Sequence, residues 1–420
     1  MNRFNTYLLL FLILYSCSNS NSDDENDNKI FTGDVGLKTQ EEVNDFGANN
    51  YTEITGNLII YDGSDNIHDI VSLNPLSSIK IIGGSLEIVG SNSISNVNGL
   101  NNLISIGGSL TFFQNDNLTN INALSNIESI PGHFSLHINP SFNDLSGLKN
   151  LKSIGDDVAI VDNDNLTNLN GLDNLVSMGE LFRLNDNERL LNIDHLSSLE
   201  TVGFIQIHDN PSLVSLAGLN SITRLYDLSI IRNNSLQNLD GLNNLNSIDL
   251  DLIITKNSQL QNVAGLISLT SVGGDLQITE NSNISDLDGL ANLESVGELF
   301  GLADCDKIAN IHGLSNLTSV GGIFSVSRIQ SIQNMEGVSS LESIGENIHI
   351  IDNPNLISLD GLESLTSLAD RFTVHDNPNL GDFCGILNLA QGSGITGEYY
   401  VANNGIDPTY QDLINGNCSN

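Results

Sequence analysis

Tryptophan is absent from the 420 residues, and aromatic residues make up only 5% of them. That counts modestly against a platform on which sugar rings stack. Basic residues are scarce, 14 against 51 acidic ones, which leaves a formal charge of −37. Phosphate backbones are held by clustered lysine and arginine, so nucleic acid is excluded as a partner. The same deficit disfavours electrostatic attachment to anionic lipid. Away from the N-terminus, no apolar run is long enough to span a bilayer. The motifs that carry chemistry are also missing: there is no G-x-S-x-G elbow, P-loop, H-E-x-x-H or paired C-x-x-C.

What the chain does have is a phrase that returns. Gly107 to Ile130 is one copy of a 24-residue unit, G-G-x-L-x-I-x-x-N-x-x-L-x-x-L-x-G-L-x-x-L-x-S-I, that recurs from Leu86 to Phe372. Its first strand site holds Leu86, Leu110, Phe134, Val158 and so on; ten of the twelve steps are 24 residues and the two beside Ile205 are 23. A weaker first coil, at Leu58 and Ile60, stands 28 residues ahead of the next. So constant a period means a solenoid in which each coil buries its apolar side against its neighbours. The repeat therefore overrides the two or three domains that length alone suggests.

Within a coil, L-x-I alternates with polar residues, the mark of a short half-buried strand. Later apolar residues come every third position, which suits tight 3₁₀-like or extended turns. Fourteen coils stacked about 4.8 Å apart make a rod on the order of 65 Å long. The Asn site runs from Asn115 through Asn187 and Asn281 to Asn377. An Asn amide in a turn can satisfy backbone groups of its own coil and the next, forming a ladder. Ser91, Cys305 and Ile329 break the series, and Ile329 predicts a local irregularity. Glycine precedes the third leucine in eleven of thirteen coils, Gly99, Gly147, Gly241 and Gly361 among them, with Ala123 and His195 in the other two. Those two replacements point to a crowded turn, not an obligatory positive φ, and turn His195 outward.

The phrase resembles the leucine-rich repeat as found in the receptor L-domain family, with related arrays in surface lipoproteins of the Bacteroidetes, over roughly residues 50 to 418. The resemblance implies a mainly β, right-handed leucine-rich-repeat solenoid of about 14 coils, like a single-stranded β-helix, capped at both ends. Cysteine is an accepted substitute at the Asn site of such repeats, which makes Cys305 a buried structural thiol. Receptor L domains are much shorter arrays, so none of their ligand sites carries over.

The ends read differently. Met1 to Ser16 is a short charged region and an apolar run, Tyr7 to Tyr15, ending at a small residue, as in a signal peptide. Leu14-Tyr15-Ser16-Cys17 resembles a bacterial lipobox, which implies cleavage before Cys17 and a lipid on it. Ser22-Asp23-Asp24-Glu25 resembles the acidic export signal of Bacteroidetes surface lipoproteins; a solvated acidic tether reads equally well. The expected divisions are a signal peptide over 1–16, a disordered tether over 17–35, an N-terminal cap over 36–57, the solenoid over 58–383 and a C-terminal cap over 384–420. Thr39 and Glu42 form a capping box for a short cap helix to about Phe46. Cys384 and Cys418 bracket the last segment and read as a disulfide, with two free thiols as the alternative. Its loop of about 35 residues is worth about 3–4 kcal/mol. Asp407-Pro408-Thr409 starts a final short helix.

No histidine pair finds a third metal ligand: His133 and His137 share a coil, and His349 and His375 lie on adjacent ones. The position before the first strand leucine is more informative. It reads Leu181, Phe204, Asp227, Asp251, Asp275, Leu299 and Ile323 through seven consecutive coils. Three carboxylates at one coil spacing repel one another unless they are solvated or countered. One reading is a wet acidic surface with the flanking apolar residues turned into the core. The sharper one is a groove that receives a basic segment of a partner, or a Ca²⁺ ion. A second, scattered column holds Val89, Phe113, Val161, Ile231 and Ile351. The sequence thus points to a non-catalytic lipoprotein, anchored in the outer membrane by its N-terminal lipid only and facing the exterior, that binds a protein or other macromolecule. The rivals are a polysaccharide-binding or polysaccharide-cleaving β-helix and a structural envelope component.

Overall fold

A computed structural model describes residues 28–61 and 69–419. The signal peptide, Cys17 and the acidic run after it lie outside the described residues.

The L-x-I sites form four- and five-residue strands such as Leu110–Phe113 and Phe204–His208. Their period-2 alternation appears as buried and half-buried residues in turn. All pair in parallel with the strand one coil away, in unbroken register, as one sixteen-stranded sheet. At about 4.8 Å per strand the rod is roughly 70 Å long. Each coil then passes through a three-residue 3₁₀ turn in most cases, such as Ala264–Leu266, and a two-residue strand such as Ser271–Val272. The leucines spaced by three are fully buried between these three sides. Each such side chain contributes about 2 kcal/mol of hydrophobic burial. Larger residues stack along the axis, as in Phe300 and Phe324, whose ring centroids are 5.2 Å apart.

The Asn ladder runs the length of the core. In each member Nδ2 donates to a carbonyl 26 or 27 residues back, and Oδ1 accepts the backbone N–H at the same site one coil earlier, an Asn except for Ser91 before Asn115 and Ile329 before Asn353. Asn187, for example, donates to the Ile160 carbonyl at 2.9 Å and accepts the Asn163 N–H at 3.2 Å. The residue before each Asn takes φ near +55°, including the β-branched Ile138 at 56°. That left-handed step turns the next side chain inward. Cys305 occupies its rung as a fully buried thiol, its Sγ 3.3 Å from the Ala303 carbonyl, and burial pushes its pKa up to about 12. Ile329 is also fully buried, yet the strands on either side keep their register. The expected irregularity is a local one in the backbone turn: the bond that Leu356 N–H makes back to the Asn353 carbonyl has no counterpart from Ile332 to Ile329, and residues 330–331 bend without closing the turn.

The glycine turn divides into two kinds. Gly147 and six others sit in 3₁₀ turns with negative φ, where a Cβ at Gly147 would lie 1.9 Å from the Ile121 carbonyl oxygen. Gly99, Gly171, Gly241 and Gly361 have φ between 107° and 115°, so a positive φ is required in those four coils. There the glycine N–H is capped by the residue two further on, Asn101, Asp173, Asn243 or Glu363. His195 is half-buried and reaches Asp173 at 2.7 Å.

Both caps hold more of the solenoid than expected. Ile30–Phe31 and Val35–Leu37 already pair with Glu53–Ile54 and Leu58–Ile60, so ordered chain begins inside the expected tether. The helix α1 (Gln40–Gly47) takes the place of a 3₁₀ turn in this first coil, buries Val43 and packs on the turn at Asn74–Leu76. Thr39 accepts the Glu42 N–H at 3.1 Å, whereas the Glu42 carboxylate reaches back to the Lys38 N–H. At the other end Tyr399–Ala402 is the sixteenth strand, and Asn404 accepts the Asn377 N–H, adding a last rung. Helices α2 (Leu387–Gln391) and α3 (Tyr410–Ile414) pack together over the core, α3 opening on a Thr409–Asp412 capping box. Cys384 and Cys418 are joined, with Cα atoms 5.0 Å apart.

Candidate binding surface

The outward side chains of the long sheet form files that run along the rod, one residue per coil. The file just before the first strand leucine is a second ladder. Asp34, Asn57, Ser85, Ser109 and Asp157 each accept, through a side-chain oxygen, the backbone N–H of the equivalent residue one coil on. Asp251 and Asp275 do the same: Asp251 Oδ1 accepts the Asp275 N–H at 2.8 Å and Asp275 Oδ1 the Leu299 N–H at 3.0 Å. Asp275 Oδ2 further accepts from Gln277 at 3.0 Å. Two of the three expected ligand-binding carboxylates are thus engaged in holding coils together. They are strung in file and are not gathered for a Ca²⁺ ion. Among the described residues only Asp382, Cys384 and Cys418 bring three such groups within ligating distance, and those two sulfurs are bonded to each other.

Asp227 differs. It accepts no hydrogen bond from a described residue, and it is half-buried beside Phe204, its register partner. Burial, with Asp251 adding like charge, raises its pKa to about 6. The apolar flanks do not turn into the core: Leu181, Phe204, Leu299 and Ile323 stay half-buried on the outer side. Leu299 and Ile323 line a groove of about 430 Å³ with Asp275, Glu298 and Glu346, floored by Gly297, Gly321 and Gly322. Sequence reading missed Tyr226 and Leu250, which sit one residue ahead of this file and are 52% and 49% exposed. The Tyr226 ring lies over Gly203, where a Cβ would meet it at 3.0 Å, and its centroid is 5.6 Å from that of Phe204. The signal available was the replacement of the second glycine of G-G by large apolar residues at these two coils.

The left-handed file before each Asn is charged as well. Arg232 pairs with Asp209, Lys256 with Glu280 and Arg328 with Asp304, each across one coil. The Arg232 guanidinium holds Asp209 below the usual carboxylate range, whereas burial and the charges of Asp209 and Asp162 raise Asp186. Histidines find ordinary partners. The His133 ring contacts Ser109 Oγ at 2.9 Å and Thr111 Oγ1 at 3.2 Å, His137 meets the Phe113 ring, and His375 reaches Asp376 at 2.7 Å. His349 stands half-buried opposite Thr373. Val89, Phe113, Val161, Ile231 and Ile351 end their strands half-buried; Val89 and Phe113 are neighbours in register, whereas Val161, Ile231 and Ile351 each stand between polar residues.

No family model matches the chain, and no curated protein matches it either. Among solved structures, an internalin, InlF, from Listeria monocytogenes is 17% identical at a TM-score of 0.39, covering 84% of this chain and 89% of its own. TLR13 in a complex with ssRNA13 is 16% identical at 0.36, covering 89% of this chain; the chain spans only 61% of that receptor. A leucine-rich-repeat protein of Leptospira interrogans is 15% identical at 0.35, covering 90% of this chain and 91% of its own. These likenesses carry no argument about a ligand. The assignment as a leucine-rich-repeat solenoid stands on the strand, 3₁₀ turn and Asn ladder of the chain itself.

Proposed function

We propose that this protein is a non-catalytic recognition scaffold, displayed on the cell exterior by a lipid on Cys17, whose long sheet binds another protein. The observation that supports the reading is the outward set of large apolar side chains, Leu181, Phe204, Tyr226, Leu250, Leu299 and Ile323, which the core does not need. Exposed apolar groups gathered on one face of a regular scaffold mark a contact surface. Their acidic companions favour a basic partner and oppose self-association of this strongly acidic chain. A photo-crosslinker placed in living cells at Gln277, on the strand face, is expected to form adducts with a different protein. The same probe at Glu294, exposed on the short-strand side, is expected to form none. Equal adducts from both positions, or adducts only between copies of this chain, would overturn the proposal; the latter is the outcome for a structural envelope component.

A further inference from the structure

The patch around Asp227 has a more specific chemistry than the rest of the sheet face. Three observations define it. The carboxylate of Asp227 stands in a file whose other acids at Asp34, Asp157, Asp251 and Asp275 accept a backbone N–H, yet it accepts none from a described residue. Two aromatic rings, Phe204 and Tyr226, lie against each other at its side, the tyrosine seated on Gly203 and half exposed. On its other side Leu250 is 49% exposed and Asp251 brings a second carboxylate.

Among the described residues no cation serves this group. Its electrostatic surroundings contain one other charge, that of Asp251, and the effect is repulsive. Nearby arginines are committed elsewhere: Arg183 donates to Gln206, and Arg224 makes a two-pronged pair with Asp249. With 14 basic residues against 51 acidic ones, the missing counter-charge has to be brought from outside. A planar guanidinium suits the site better than an ammonium. It can bond a carboxylate through two N–H groups while its face lies on an aromatic ring. Ring contact adds about 0.5–2 kcal/mol, more as the site is dried.

We infer that Phe204, Tyr226, Asp227, Leu250 and Asp251 form a receptor for an arginine side chain presented by an apolar, extended segment of a partner protein. The inference rests on the recognition reading above and names the chemistry that reading would use. The apolar stem of the arginine and its apolar neighbours cover Tyr226 and Leu250, while the guanidinium meets Asp227 and Asp251.

The test uses the exported chain and a fluorescent pentapeptide with one arginine between two leucines, followed by anisotropy. Replacing that arginine with citrulline, its neutral isostere, is expected to abolish binding. Asp227→Asn is expected to weaken the arginine peptide about 10-fold and Tyr226→Ala about 5-fold. Asp352→Asn, an identical change of net charge in a distant coil, is expected to leave it unchanged. Equal losses from Asp227→Asn and Asp352→Asn would reduce the effect to bulk charge and overturn the assignment. So would undiminished binding by Asp227→Asn, or equal binding of the citrulline peptide. Failure of the arginine site and failure of the scaffold reading give different results. If cellular adducts from Gln277 persist while the peptide fails to bind, the scaffold reading stands and the arginine site falls. If no adducts form, the scaffold reading falls whatever the peptide does.

Discussion

Asn187→Ala removes one rung from the middle of the ladder, and the structure sets the size of the effect. The wild-type amide donates to Ile160, Asn185 and Asn210, and its oxygen accepts the Asn163 N–H and amide. Water can replace the bond to Asn185, which is half-buried at the strand end. The Ile160 carbonyl and the Asn163 N–H face the interior beside a fully buried site and lose this partner. Each buried orphan costs about 1–3 kcal/mol, so the substitution should cost about 4 kcal/mol. Urea unfolding followed by circular dichroism measures it. Amide exchange should show the loss concentrated in the coils from 160 to 210, because long repeat arrays need not unfold in one step. A cost below about 1 kcal/mol would refute the reasoning, since it would mean that these groups find other partners at no expense. The reciprocal change is as informative. Ile329→Asn puts the amide where the ladder lacks one, whereas Ile332→Asn puts it among leucines three residues later; both sites are fully buried. The first should cost no more than about 1 kcal/mol and the second more than about 3. Equal costs would deny the ladder any net role.

Other expectations follow from single sites. Ile138 takes a φ of 56°, so Ile138→Asn should raise stability by about 1 kcal/mol, read as a higher Tm. Asp227, with its pKa raised to about 6, keeps a proton that the unfolded chain releases near pH 3.8, so its relative stabilisation is complete below that value and is lost as pH rises to about 6. Asp227→Asn should therefore stabilise above pH 6 and have little effect at pH 3.5. Solvent screening at this half-exposed group reduces the gain to about 1 kcal/mol. An equal gain at both pH values would contradict the burial argument. Cys305, buried and pushed up to about 12, should resist alkylation until the solenoid unfolds. Reduction of Cys384–Cys418 should loosen the terminal coil by about 3–4 kcal/mol, with Asn404 and Tyr399–Ala402 exchanging first.

The solenoid was legible because burial repeats: every inward leucine falls in the same phrase, and stacking leaves it one way to be buried. The caps were read short because their spacing departs from 24. Val35 stands 23 residues before Leu58 and Tyr399 stands 27 after Phe372, with helices in place of turns. Tyr-Tyr-Val-Ala-Asn-Asn at 399–404 nevertheless matches Phe-Thr-Val-His-Asp-Asn at 372–377, and that match identifies Asn404 as a rung. Charge pattern misled where geometry decides. Asp227, Asp251 and Asp275 look alike in sequence, but only the structure shows which oxygens already hold an N–H. The polar residues earlier in the same file, Asp34, Asn57, Ser85, Ser109 and Asp157, were the available hint of a backbone role. Tyr226 and Leu250 escaped because they replace glycines, and the repeat draws attention to what glycine permits more than to what fills its place.

The central claim is a recognition face presented to the cell exterior, and protease shaving of intact cells tests it most directly, with a periplasmic protein as the internal control. The account predicts that the solenoid is released or degraded while the control survives. Survival of the solenoid until the envelope is broken would contradict it and place the strand face before a periplasmic partner instead.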